Sequence, residues 1–124
     1  MNLHHINIKG TWDLLAKERD FFCEVLGFRE GHRPNFSFRG YWLYAGENAL
    51  VHLSESESDI SSRQQGHFDH VAFQTSGLSA LVKTLENKEI EHSVSYLAEI
   101  DMSQIFCQSP SGTKIEINFP REKI

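Results

Sequence analysis

Three histidines and one glutamate stand at matched places in two similar stretches of this chain. Leu3-His4-His5-Ile6-Asn7-Ile8 is echoed by Phe68-Asp69-His70-Val71-Ala72-Phe73, and Ala49-Leu50-Val51-His52-Leu53 by Thr113-Lys114-Ile115-Glu116-Ile117. His5 and His52 are 47 positions apart, and His70 and Glu116 are 46 apart. Such self-similarity at fixed pitch marks an internal duplication. It puts one metal-type side chain near the start and one near the end of each half. Three imidazoles and a carboxylate suit a borderline divalent transition metal, that is Zn, Ni, Fe, Co or Mn. Ca and Mg are disfavoured because they prefer oxygen ligands. Octahedral geometry leaves two positions open for a ligand, whereas tetrahedral Zn closes the site. The remaining histidines, His4, His32, His67 and His92, lack this register and read as solvated or hydrogen-bonded side chains.

The elements that must position these four residues follow from patterning. Leu3–Ile8 reads as a strand. Thr11 is a candidate helix N-cap with Asp13 in the first turn. Trp12, Leu15, Phe22, Val25 and Leu26 then share one helical face, and Gly27 closes the helix. Phe28–His32, Tyr41–Ala45 and Ala49–Ser54 are extended. The polar stretch 54–66 (SESESDISSRQQG) is a loop at the junction of the halves. The second half repeats the order. Strand Phe68–Gln74 precedes an amphipathic helix carrying Leu78, Leu81, Val82 and Leu85. Strands Ser93–Leu97 and Gln104–Gln108, the turn Ser109-Pro110-Ser111-Gly112 and strand Thr113–Phe119 follow. Each half is therefore βαβββ. The chain is expected to be one α+β domain over 1–124, with module one at about 1–56, a linker at about 57–66 and module two at about 67–121. Side chains alternate along strands. Ile115, Ile117 and Phe119 oppose Glu116; Val51 and Leu53 oppose His52; Ile6 and Ile8 oppose His5; Val71 and Phe73 oppose His70. With helices packed on the apolar faces, curved mixed sheets would aim the four ligands into one metal-binding cavity.

Bulk properties narrow the function. A formal charge of −5 and the absence of a basic run argue against a nucleic-acid or anionic-membrane partner. No stretch reaches the ~18 apolar residues of a membrane span. The N-terminal segment lacks the basic and long apolar regions of a signal peptide. Cys23 and Cys107 form no CxxC and no disulfide framework, so both are expected to be reduced thiols in a cytoplasmic protein. Arg33 and Arg39 could clamp a carboxylate or phosphate, and Tyr44 could enter the cavity.

Four segments together resemble the vicinal oxygen chelate superfamily, which unites glyoxalases, bleomycin-resistance proteins and extradiol dioxygenases. They are Leu3–Ile8, Phe21-Phe22-Cys23-Glu24-Val25-Leu26-Gly27-Phe28, Phe68–Phe73, and Ser109-Pro110-Ser111-Gly112-Thr113-Lys114-Ile115-Glu116-Ile117. The last is similar to the family's DPDG-x-x-IE ending, with Ser at both Asp positions. The resemblance covers essentially the whole chain. It implies paired βαβββ modules around one divalent metal, with His5, His52, His70 and Glu116 as ligands and a homodimer completing the cavity. It also implies Lewis-acid chemistry on adjacent oxygens of a small-molecule substrate, with Glu116 available as a base. Glyoxalase I carries Glu where this chain has His52, which removes one candidate base. A glyoxalase-type lyase or isomerase ranks first. An extradiol-type Fe(II) dioxygenase and a non-enzymatic, resistance-type binder follow.

Overall fold

The computed structural model describes residues 3–56, 68 and 70–124. The chain divides into two compact units, Met1–Gln65 and Gly66–Ile124. The linker expected at about 57–66 lies outside the described residues.

The first unit runs β1 (Ile6–Gly10), α1 (Trp12–Glu24), β2 (Arg29–Gly31), β3 (Gly40–Ala45) and β4 (Asn48–Glu55). Its sheet has the order β1-β4-β3-β2, with β1 parallel to β4 and the other pairs antiparallel. The second unit runs β5 (His70–Gln74), α2 (Leu78–Asn87), β6 (His92–Leu97), β7 (Met102–Gln108) and β8 (Lys114–Pro120). Its order, β5-β8-β7-β6, has the same pattern of parallel and antiparallel pairs. The repeat read in the sequence is thus a repeat of topology. Asn7 pairs with His52 across β1 and β4, and Ala72 pairs with Glu116 across β5 and β8. His52 and Glu116 therefore occupy equivalent rungs of two equivalent ladders.

Local chemistry explains the helix ends. The Thr11 hydroxyl accepts from the Leu14 amide at 3.4 Å. Gly27, at φ +76°, lets the Phe28 amide reach back to the Phe22 carbonyl at 3.0 Å, the six-to-one bond of a Schellman ending. Helix α2 starts differently. Gly77 sits at φ 96° and provides no side-chain cap. The Glu122 carboxylate takes that role, accepting from the Gly77 amide at 2.9 and 3.2 Å and from the Leu78 amide at 2.8 Å.

One face of each sheet is apolar, as the alternation requires. In the first unit Leu15, Phe22, Leu43, Val51 and Leu53 are fully buried. In the second, Leu85, Ile105, Ile115 and Phe119 are fully buried, with Leu78 and Ile117 nearly so. Two expectations shift. The first strand begins at Ile6 rather than Leu3, because the ladder to β4 starts at Ile6↔Val51, so His5 lies just ahead of it. A short 3-10 turn, Ala98–Ile100, was not anticipated. Asp101 follows it at φ 48°.

Candidate functional site

On the polar face of the first sheet, His52 is the central group. Its ring stacks on His5 at 3.9 Å and on Trp42 at 4.0 Å, with interplanar angles of 12° and 10°. Trp42 is there because it pairs with His52 across β3 and β4. The His52 Nε2 donates to the Ala49 carbonyl at 3.1 Å. In the neutral ring Nδ1 is therefore the nitrogen with the open lone pair. Burial pushes the His52 pKa below its ordinary value, and the neighbouring His5 adds to this. His52 is only 7% exposed. His4 Nδ1 lies 2.8 Å from His5 Nδ1. On the next rung the Asn7 amide donates to the Ser54 hydroxyl at 3.1 Å.

The ring column continues into the loop between β2 and β3. Phe36 meets Trp42 at 6.2 Å and stacks on Phe38 at 5.3 Å. The Arg33 guanidinium lies over both phenyl rings and donates to the Phe38 carbonyl at 3.0 Å. It fits there because Gly40 has no side chain. A Cβ at Gly40 would come 2.9 Å from Arg33 Nη2 and would clash with the Leu53 carbonyl oxygen.

In the second unit His70 and Glu116 share the polar face of neighbouring strands. His70 pairs with Lys114, two residues before the Ala72–Glu116 pair. Both carboxylate oxygens of Glu116 are held by amides. Gln104 Nε2 donates to Oε1 at 3.2 Å and Asn118 Nδ2 to Oε2 at 3.1 Å, while Gln104 also donates to Asn118 Oδ1 at 3.1 Å. This amide cradle fixes the carboxylate plane.

The four predicted ligands thus form two pairs: His5 with His52 in one unit, and His70 with Glu116 in the other. Within either unit, no set of three or more His, Cys, Asp or Glu side chains gathers among the described residues. The donor types fit a transition metal. His52 and Glu116 carry the supporting hydrogen bonds that orient metal ligands. The His5 and His52 rings, however, are parallel, so their in-plane lone pairs run side by side. Nitrogens sharing one ion at ~2.1 Å must converge on it, which requires one ring to turn. His52 is pinned by Ala49 and Trp42, and His5 is the exposed one.

The predicted substrate contacts fall elsewhere on the first unit. Arg39 pairs with Glu55 through two hydrogen bonds and lies 4.3 Å over the Trp12 ring of α1. That is the helix side of the sheet, the side Tyr41 also takes by stacking on Trp12 at 4.8 Å. Tyr44 donates its hydroxyl to the His32 carbonyl at 2.6 Å, and its ring covers Gly31. Of the three, Arg33 alone contacts the ring column that leads to His52. The sequence reading passed over Trp42, Gln104 and Asn118. Alternation was the available signal, since Asn118 lies two residues from Glu116 on the same strand face.

Comparison with known proteins agrees with this architecture. The family model of the Glyoxalase/Bleomycin resistance protein/Dioxygenase superfamily matches residues 3–117. The chain belongs to that superfamily. Comparison with curated proteins gives no match. Among solved structures, a putative glyoxalase family protein from Bacillus anthracis is similar with TM-score 0.75 and 19% identity, covering 97% of this chain and 95% of its own. An integron cassette protein from the Halifax Harbour sewage outfall metagenome has TM-score 0.70 and 23% identity over 95% of this chain and 97% of its own. A lactoylglutathione lyase from Agrobacterium tumefaciens has TM-score 0.68 at 11% identity, over 97% of this chain and 94% of its own. These likenesses establish the fold. Among the described residues, no helix is long and apolar enough to cross a membrane.

Proposed function

We propose that this chain is a metal-dependent lyase or isomerase of glyoxalase type acting on a small oxygenated metabolite, with His5, His52, His70 and Glu116 as the ligand set. One observation carries the reading. His52 and Glu116 occupy equivalent register positions in two ladders of identical topology, each paired with the residue two beyond a histidine, His5 or His70. A bound Zn, Ni, Fe, Co or Mn ion would act as a Lewis acid toward adjacent substrate oxygens.

The chain's own residues do the rest. His52 is oriented by the Ala49 carbonyl and by Trp42, so it keeps one nitrogen directed away from the backbone. Glu116 would take a proton from the bound substrate, whose electron pair is left on the substrate as an oxyanion. With His52 in place of a second carboxylate, Glu116 is the one carboxylate in the set. The Gln104 and Asn118 amides hold it in one orientation while it does so. The reading includes a homodimer in the cytoplasm, which sedimentation of the purified protein would check.

A second reading, ligand capture without turnover, draws support from the face-to-face His5, His52 and Trp42 rings, a packing that needs no ion. Elemental analysis of untagged protein separates the two. The metalloenzyme reading expects near-stoichiometric transition metal in wild type and a large loss in His70→Ala and Glu116→Gln, with hemithioacetal conversion by the loaded wild type. Absence of metal after reconstitution refutes it and leaves the binder. Fe(II)-dependent oxygen uptake with catechols would instead assign a dioxygenase.

A further inference from the structure

On a chain of formal charge −5, the polar face of the first sheet carries cations and, among the described residues, no carboxylate. By register, Asn7 and Lys9 of β1, His52 and Ser54 of β4, and Gly40 and Trp42 of β3 share this face. The unit's described acids lie elsewhere. They are on α1, at Glu30 opposite the fully buried Leu43, at Glu47 in a turn, and at Glu55, which Arg39 holds.

Arg33 stands on this polar face, against Gly40. Its charge helps to lower the His52 pKa. The side chain is half-buried, and its Nε is buried with no hydrogen-bond partner. Among the described residues its one hydrogen bond runs from Nη2 to the neutral Phe38 carbonyl. A cation drawn out of water needs a counter-charge. Arg19 and Arg39 have theirs in Asp20 and Glu55; among the described residues Arg33 has none. Nη1 and the second Nη2 hydrogen remain, and that end of the fork matches a carboxylate in two parallel bonds. The adjoining wall is aromatic. Phe36 and Phe38 lie 4.8 and 5.1 Å from the guanidinium carbon, stacked on each other and still 42% and 45% exposed. Open phenyl rings favour a flat ring as neighbour.

We propose that Arg33, Phe36 and Phe38 seat an aromatic carboxylic acid, its carboxylate on the Nη1–Nη2 end of Arg33 and its ring against the two phenyl rings. Phe36 meets Trp42, which stacks on His52, so the seat adjoins the proposed ligand set. The inference rests on reading the His5–His52 face as the reactive one, and it names the substrate class that face selects.

The test uses the whole chain in chelator, so that it does not depend on metal. Benzoate, neutral benzamide and non-planar cyclohexanecarboxylate are titrated separately while amide and indole N–H shifts are followed by NMR. Saturable benzoate shifts at Arg33, Phe36, Phe38 and the Trp42 indole are expected, with benzamide at least tenfold weaker and cyclohexanecarboxylate at least threefold weaker. Arg33→Gln should weaken benzoate at least tenfold and leave benzamide unchanged, and Arg33→Lys, which keeps the charge without the fork, should recover part of the loss. Phe38→Leu should weaken benzoate more than cyclohexanecarboxylate. An unchanged spectrum away from residues 33–42 shows that each variant is folded. Equal affinity for benzoate and benzamide, no response to Arg33→Gln, shifts confined to other regions, or no binding overturns the proposal. So does a sedimentation coefficient that falls in Phe38→Ser with no benzoate binding, which assigns the phenyl pair to a second copy of the chain. Failure here with a confirmed metal site leaves the metalloenzyme reading standing. Success here without metal leaves a binder of aromatic acids.

Discussion

Glu122 lies 44 residues from the start of helix α2, yet it is that helix's N-terminal cap. The first amides of a helix have no acceptor within the helix, and Gly77 offers no side chain to supply one. The Glu122 carboxylate accepts from Gly77 and Leu78. Its backbone is held in turn by the Ser103 hydroxyl, which donates to the Glu122 carbonyl at 2.7 Å. Loss of an N-cap acceptor typically costs about 0.5–2 kcal/mol. Here the acceptor is charged and serves two amides, and it also meets the positive end of the helix dipole. Glu122→Ala is therefore expected to destabilise the protein by about 1.5–2 kcal/mol. Glu122→Gln keeps an acceptor without the charge and should cost roughly half as much. Urea unfolding followed by circular dichroism measures both. At constant m, the midpoint should fall in the order wild type, Gln, Ala. A Glu122→Ala protein within about 0.3 kcal/mol of wild type would refute the capping argument, because water would then satisfy those amides equally well.

Two further predictions concern the first unit. A Cβ at Gly40 would press against the Leu53 carbonyl, a backbone atom with little room to give; Gly40→Ala is expected to cost about 2–3 kcal/mol, at the upper end of overpacking penalties, and urea unfolding near the wild-type midpoint would contradict this. His52 has its pKa depressed in the fold, mainly by burial, so below the unfolded value near 6.5 the unfolded state binds more protons. In metal-free protein, stability should then be full above about pH 7 and fall as the pH drops through 6.5. A His52→Gln variant should show a shallower decline over that window, and an unchanged pH profile would exclude His52 as its source.

Much of the fold was legible because it rests on local chemistry. Thr11 and Gly27 mark the ends of α1 through hydrogen bonds to residues within one or two turns. The βαβββ repeat shows in sequence because each strand must alternate to bury one face, and the same alternation is written twice. The ring column was hidden. Trp42 lies ten residues from His52, and Phe36 sits in a loop whose path no periodicity describes. Their contact depends on the β3–β4 register, which carries an irregularity between Leu43 and Tyr44. Arg39 was equally hidden: its place against Trp12 and Glu55 on the helix side depends on contacts between separate elements.

The sequence by itself determined the two modules, the ends of α1 and the placing of two metal-type residues in each half, since these follow from periodicity and from residues close along the chain. Only the tertiary structure decided how those residues are held: His52 between His5 and Trp42, Glu116 between Gln104 and Asn118, and α2 capped by Glu122. Each of these is a contact between elements distant in sequence. Its geometry is set by strand register and close packing, which no single segment encodes.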